Sequence, residues 1–169
     1  RFASKINALF PFAKRDSGLE SPKDNAAGAD ALSSFIENEF KIDIHYWVTT
    51  NFEAVEQVIN ELGGVDVEVD KAFTDCQYPT KDYRFIRPCP SFEVGTERMN
   101  GERALIYARS RKAAQDGGDF ARSRRQSIVI KSIINELKNL GVSNINKVNS
   151  YLDILGSNVT TKNIQIRIN

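Results

Sequence analysis

Five residues stand out by type and spacing: Arg109, Arg111, Asp119, Arg122 and Arg125. They lie within Gly101–Ile130, a stretch with six arginines in a chain whose net charge is only +1. A guanidinium is a planar fork of donors that matches phosphate oxygens. Residues three apart on a helix are neighbours, so Arg122 and Arg125 can point together. A helix start adds unpaired backbone donors and a favourable dipole. The set therefore suits a phosphate or pyrophosphate clamp. The competing reading is a solvated basic face, since 22 acidic residues are available as partners. Asp119 reads either as a helix N-cap or as the group that orients an arginine or holds a metal. A carboxylate among guanidiniums favours its charged form, which suits those roles better than general-base work. Asp116, in the adjacent loop, reads as less constrained.

These residues need elements to position them. Leu105, Tyr107, Arg109 and Arg111 alternate with Ile106, Ala108 and Ser110, which predicts a strand. A loop closed by Gly117 and Gly118 follows. A helix is expected from Asp119, with apolar positions at Val129, Ile130, Ile133, Ile134, Leu137 and Leu140. Ligands bind beyond strand ends at such turns in α/β sheets. Upstream, Ile42–Thr50 is β-prone, Asn51 is a good N-cap, and Phe52, Val55, Val58, Ile59 and Leu62 form a helical stripe ended by Gly63 and Gly64. Val65–Val69 alternates as a strand. This strand–helix–strand order predicts parallel strands covered by helices. Arg15–Ala29 reads as a loop, and Leu32, Phe35, Ile36 and Phe40 as a helix. The tail suggests a helix over Ile145–Leu155 and a strand over Asn163–Ile168.

At 169 residues, with 41% hydrophobic and 27% charged residues, the chain reads as one globular domain, 1–169, with an insert over 71–98. A charge of +1 gives no support to nucleic-acid binding, and neither a Walker loop nor a GxGxxG is present. Cys76 and Cys89 bracket the insert's loop. They read most simply as a local disulfide in an oxidising setting, with two unpaired thiols as the alternative. His45, inside a β-prone run, reads as structural.

Taken together, YARSR, GDFARSRRQSIVI, MNGERALIYAR, HYWVTTNFEAVEQVINELGGVDVEV and an early KIN resemble the LytR-CpsA-Psr family, covering most of residues 5 to 135. The family pattern is tyrosine-alanine-arginine-x-arginine, then aspartate-aromatic-small-arginine-x-x-arginine-glutamine. The resemblance implies a three-layer α/β/α sandwich with a mixed central sheet, on the extracytoplasmic face of a bacterial cell membrane. It implies a phosphotransferase that attaches polyprenyl-pyrophosphate-linked glycopolymers, teichoic acid or capsule-like, to peptidoglycan or another cell-wall acceptor. The alternative is a non-catalytic domain binding polyprenyl phosphate or cell-wall glycan. Asp119 and Arg122 are the candidate catalytic residues. Arg109, Arg111, Arg122, Arg125 and Gln126, with Lys5 and Asn7, are the candidate pyrophosphate ligands. Magnesium is the implied cofactor. Its acidic ligands are expected before Arg1, with the family's serine-isoleucine-proline-arginine-aspartate segment and a membrane anchor. Ala121 stands where the family usually has glycine.

Overall fold

The structure is a computed structural model and describes residues 6–18, 23–45, 47–80, 82, 84–139 and 159–161. It is of the α/β class. The chain divides into two compact units, Arg1–Ala54 with Leu152–Asn169, and Val55–Tyr151.

In the first unit, a short 3-10 helix (Ile6–Ala8) leads into α1 (Leu9–Asp16), and α2 (Lys23–Phe40) follows. The expected loop over Arg15–Ala29 is therefore mostly helix. Pro11 is tolerated because it lies in the first turn of α1, where its missing N–H has no intrahelical partner. Helices α1 and α2 pack closely at Gly28, where a Cβ would sit 2.9 Å from the Phe10 carbonyl oxygen. The β-prone run shortens to β1 (Val48–Thr50), paired antiparallel with β6 (Val159–Thr161). The remaining tail elements expected from sequence lie outside the described residues.

Helix α3 (Phe52–Glu61) starts at Asn51, whose side chain accepts from the Ala54 N–H at 2.7 Å. It ends where Gly63 and Gly64 take φ values of 74° and 98°, a conformation that glycine adopts without a Cβ penalty. In the second unit, β2 (Val65–Val69) pairs antiparallel with β5 (Gly95–Met99), from Val65↔Met99 to Val69↔Gly95. Val65, Val67 and Val69 are fully buried, as their alternation predicts. The order β1–α3–β2 is as expected, but the described strands of that unit pair elsewhere and antiparallel. Alternation reports a half-buried strand and says nothing about its partner. Between β2 and β5 the insert contains β3 (Phe73–Thr74) paired with β4 (Ser91–Phe92), and Cys76 is disulfide-bonded to Cys89 with Cα atoms 4.6 Å apart.

Residues Gly101–Arg109 form helix α4, not the expected strand. Asn100 caps it, accepting from the Arg103 N–H at 2.9 Å. Its buried residues, Gly101, Ala104, Leu105, Tyr107 and Ala108, follow helical spacing. Leu105 and Ile106 are both apolar, so the apparent two-residue alternation had no polar face to define a strand. Gly101 presses on α3: its N–H donates to Asn60 Oδ1 at 2.8 Å, and a Cβ there would meet the Glu56 carbonyl oxygen at 2.3 Å. Helix α5 (Gly118–Asn139) packs on β2, where the Ser132 hydroxyl donates to the Asp66 carbonyl at 2.6 Å.

Candidate functional site

The site is built where α4 ends and α5 begins. Ser110 closes α4, its N–H and hydroxyl both donating to the Ile106 carbonyl at 3.0 and 2.8 Å. The chain then turns through Arg111–Gly117. The Gly118 N–H donates back to the Arg111 carbonyl at 2.9 Å. Gly117 has no room for a side chain, since a Cβ would lie 2.3 Å from the Ala113 carbonyl oxygen, and Gly118 has φ 88°. The two glycines thus close a tight loop that delivers Asp119 to the first turn of α5.

Asp119 gathers two arginines. Arg111 approaches as a fork, Nε to Oδ1 at 3.0 Å and Nη2 to Oδ2 at 3.1 Å, and Arg122 Nη2 reaches Oδ1 at 2.9 Å. All three side chains stay solvent-accessible, 52%, 58% and 37% exposed for Arg111, Asp119 and Arg122. Two guanidiniums are thereby held side by side at a helix start and open to solvent.

The expectation that Arg125 points with Arg122 is corrected. Arg125 is fully buried. Its Nε donates to the Tyr107 carbonyl at 3.0 Å, Nη1 to the Asp116 carbonyl at 2.9 Å, and Nη2 to the Ser110 carbonyl. Its guanidinium lies 4.5 Å above the Phe73 ring. It ties the end of α4 to the loop rather than facing a ligand. Burial pulls its pKa down, while the Asp116 charge and hydrogen bond work against that. Asp116 is the other correction, being buried and paired with both Arg124 and Arg125. Burial alone pushes its carboxyl up, but the hydrogen bonds and charges of Arg124 and Arg125 outweigh this and hold it below the ordinary carboxylate range. Arg124 also bridges Asp70 at 2.7 Å.

Arg109, at the end of α4, has its guanidinium 5.9 Å from the Tyr78 ring centre. It lies on the wall of a cavity of about 380 Å³, with Glu56, Glu102, Ile86 and Ile106 around it. Gln126 is half-buried, one turn along α5 from Arg122. Lys5 and the side chain of Asn7 lie outside the described residues. The arginines therefore divide by position: Arg111 and Arg122 share Asp119, Arg109 faces the cavity, and Arg125 is internal.

Sequence reasoning missed Asp75. It is buried, and its Oδ2 accepts from the N–H groups of Arg111 and Lys112 at 3.1 and 3.2 Å. Its one signal in the sequence is its place beside Cys76 at the root of the stapled loop. Among the described residues, no three His, Cys, Asp or Glu side chains gather to hold a metal. Asp119 is already engaged by two guanidiniums, so the described side chains do not fit a magnesium site.

A small capped helix, a glycine-closed loop and a second helix, with arginines on both sides of the turn, make up the candidate site of this α/β protein. Residues 2–167 match the LytR_cpsA_psr family, and the chain belongs to that family. It is 36% identical over 139 residues to the polyisoprenyl-teichoic acid–peptidoglycan teichoic acid transferase TagV of Bacillus subtilis, covering 82% of this chain and 33% of that protein. It is 34% identical over 162 residues to the TagU transferase of Oceanobacillus iheyensis, covering 95% of this chain and 43% of the relative. The chain thus spans less than half the length of these relatives. The crystal structure of B. subtilis TagU superposes with a TM-score of 0.66 at 29% identity, covering 96% of this chain and 57% of that one. TagT bound to LIIa-WTA superposes with a TM-score of 0.58 at 31% identity, covering 83% and 48%.

Proposed function

We propose that the protein transfers a glycopolymer from a polyprenyl-pyrophosphate carrier to peptidoglycan or another cell-wall acceptor. One observation carries this reading: Asp119 holds Arg111 and Arg122 together, exposed, at the start of α5. In the proposed reaction an acceptor hydroxyl oxygen attacks the glycan-linked phosphorus. The P–O–P bond breaks, polyprenyl phosphate leaves, and the hydroxyl proton passes to solvent. Charge builds on the pyrophosphate oxygens, and preorganised guanidiniums stabilise it without reorganising. Arg111 and Arg122 would hold those oxygens, with Asp119 fixing their spacing. Arg109 would bind from the cavity side, which leaves room for the group attached to the pyrophosphate. Gln126 would contribute from the next turn of α5.

Magnesium belongs to the same proposal, held by carboxylates other than those described, and no step above runs through it. The extracytoplasmic location is supported by the Cys76–Cys89 disulfide, a bond that persists in oxidising compartments. Membrane attachment belongs to the same proposal; no helix among the described residues is long and apolar enough to cross a membrane.

The test incubates the full-length protein with a lipid-pyrophosphate-linked oligosaccharide, a peptidoglycan acceptor and magnesium. Transfer is expected to fall at least about 100-fold in Arg109→Ala and in Arg122→Ala, as for loss of a donor aimed at developing charge. Unchanged transfer in both variants would overturn the assignment. Retention of the lipid substrate with no transfer by the wild-type protein would favour a binding domain.

A further inference from the structure

Asp75 joins three segments that are far apart in sequence. It is 1% exposed and lies between β3 and the disulfide. Its Oδ1 accepts from the Gln77 N–H at 3.0 Å, inside the stapled loop. Its own N–H donates to the Pro90 carbonyl at 2.9 Å, just past Cys89. Its Oδ2 accepts from Arg111 and Lys112, the first two residues of the loop between α4 and α5. A carboxylate taking three backbone N–H groups makes charge-assisted bonds, stronger than neutral ones.

Arg111 is consequently fixed at both ends. Asp75 sets where its main chain runs, and Asp119 sets where its guanidinium points. The disulfide holds the loop from which Asp75 projects, and Pro90 holds that residue's own backbone. We infer that Asp75 is a positioning residue for the anion cradle: without touching substrate, it places Arg111 for pyrophosphate. This rests on the reading of Arg111 and Arg122 as pyrophosphate ligands given above. The competing possibility is that Asp75 only stabilises the insert, and the two differ in what a substitution changes.

The probe is geranyl pyrophosphate, titrated into the full-length protein. Asp75→Asn replaces one accepting oxygen with an NH₂ group that faces N–H donors. It is expected to weaken binding by about tenfold or more, since small misplacements of a binding group are costly, and to raise KM for lipid substrate in the transfer assay. Amide hydrogen exchange should show faster exchange at Arg111 and Lys112 while the middle of α5 keeps its protection. Asp75→Glu, which keeps the charge but shifts it by one methylene, should fall between wild type and Asp75→Asn. Ser132→Ala, which removes a hydrogen bond on the far part of α5, should lower stability and leave affinity unchanged. A folded Asp75→Asn or Asp75→Glu protein with wild-type affinity would overturn the inference. So would wild-type protein whose Arg111 and Lys112 amide resonances stay still on saturation with geranyl pyrophosphate, a measurement that needs no variant. If instead Arg111→Ala itself binds the probe like wild type, the pyrophosphate reading fails, whatever Asp75 does.

Discussion

Asp116 carries a buried charge balance that pH can read. Its carboxyl titrates below the ordinary range because Arg124 and Arg125 overcome the cost of its burial. A depressed folded value means that the ionised form stabilises the fold above the ordinary carboxylate range, near pH 4. That stabilisation is lost as pH falls through the folded value. Asp116→Asn leaves the buried Arg125 without its counter-charge and is expected to cost about 3 kcal/mol or more at pH 7. The gap from wild type should narrow as pH drops below about 4, as followed by urea unfolding between pH 7 and pH 3. The sequence marks Arg109, Arg111, Asp119 and Arg122 as chemistry-bearing, and three of these meet in the structure. It does not distinguish Arg125, because residue type and three-residue spacing are the same for an inward and an outward arginine. The deciding fact is that three main-chain carbonyls converge on Arg125, and that convergence exists only once the loop has closed.

At the scale of elements, α4 shows how a pattern misleads. Alternation over Leu105–Arg111 fits a strand only if one face is polar, and here both faces are apolar at their centre. The informative signal was the Asn100 cap and the helical spacing of Gly101, Ala104, Leu105, Tyr107 and Ala108. The cap has a measurable weight: Asn100→Ala removes the acceptor for the Arg103 N–H and should lower unfolding free energy by about 1 kcal/mol, read from a shifted urea midpoint at constant m-value. Where local chemistry dictates conformation, sequence reading and structure agree. The Asn51 cap, the Gly63–Gly64 stop, the buried valines of β2 and the start of α5 within one residue of Asp119 are all of this kind. Strand pairing is not local. The antiparallel β2–β5 register depends on an insert folding back on itself, and no periodicity encodes that return.

Across the whole molecule, the second unit contains every arginine of the candidate cradle together with the stapled insert. The staple closes a loop with a sequence separation of 13, so its removal should cost about 3 kcal/mol in the chain-entropy view. Thermal unfolding of the Cys76→Ser/Cys89→Ser protein should therefore begin at a lower midpoint than wild type. An unchanged midpoint would mean that β3, β4 and Asp75 hold the insert unaided. Gly101 has a different reach. It is the point where α4 bears directly on α3, with no space for even one methyl group between them. Arg109 sits at the opposite end of the same rigid rod, about 12 Å along its axis. The contact works as the fulcrum of a lever: a wedge of one carbon at the near end becomes a sweep of the guanidinium at the far end. A residue outside the cavity's lining can in this way set the aim of an arginine that belongs to it.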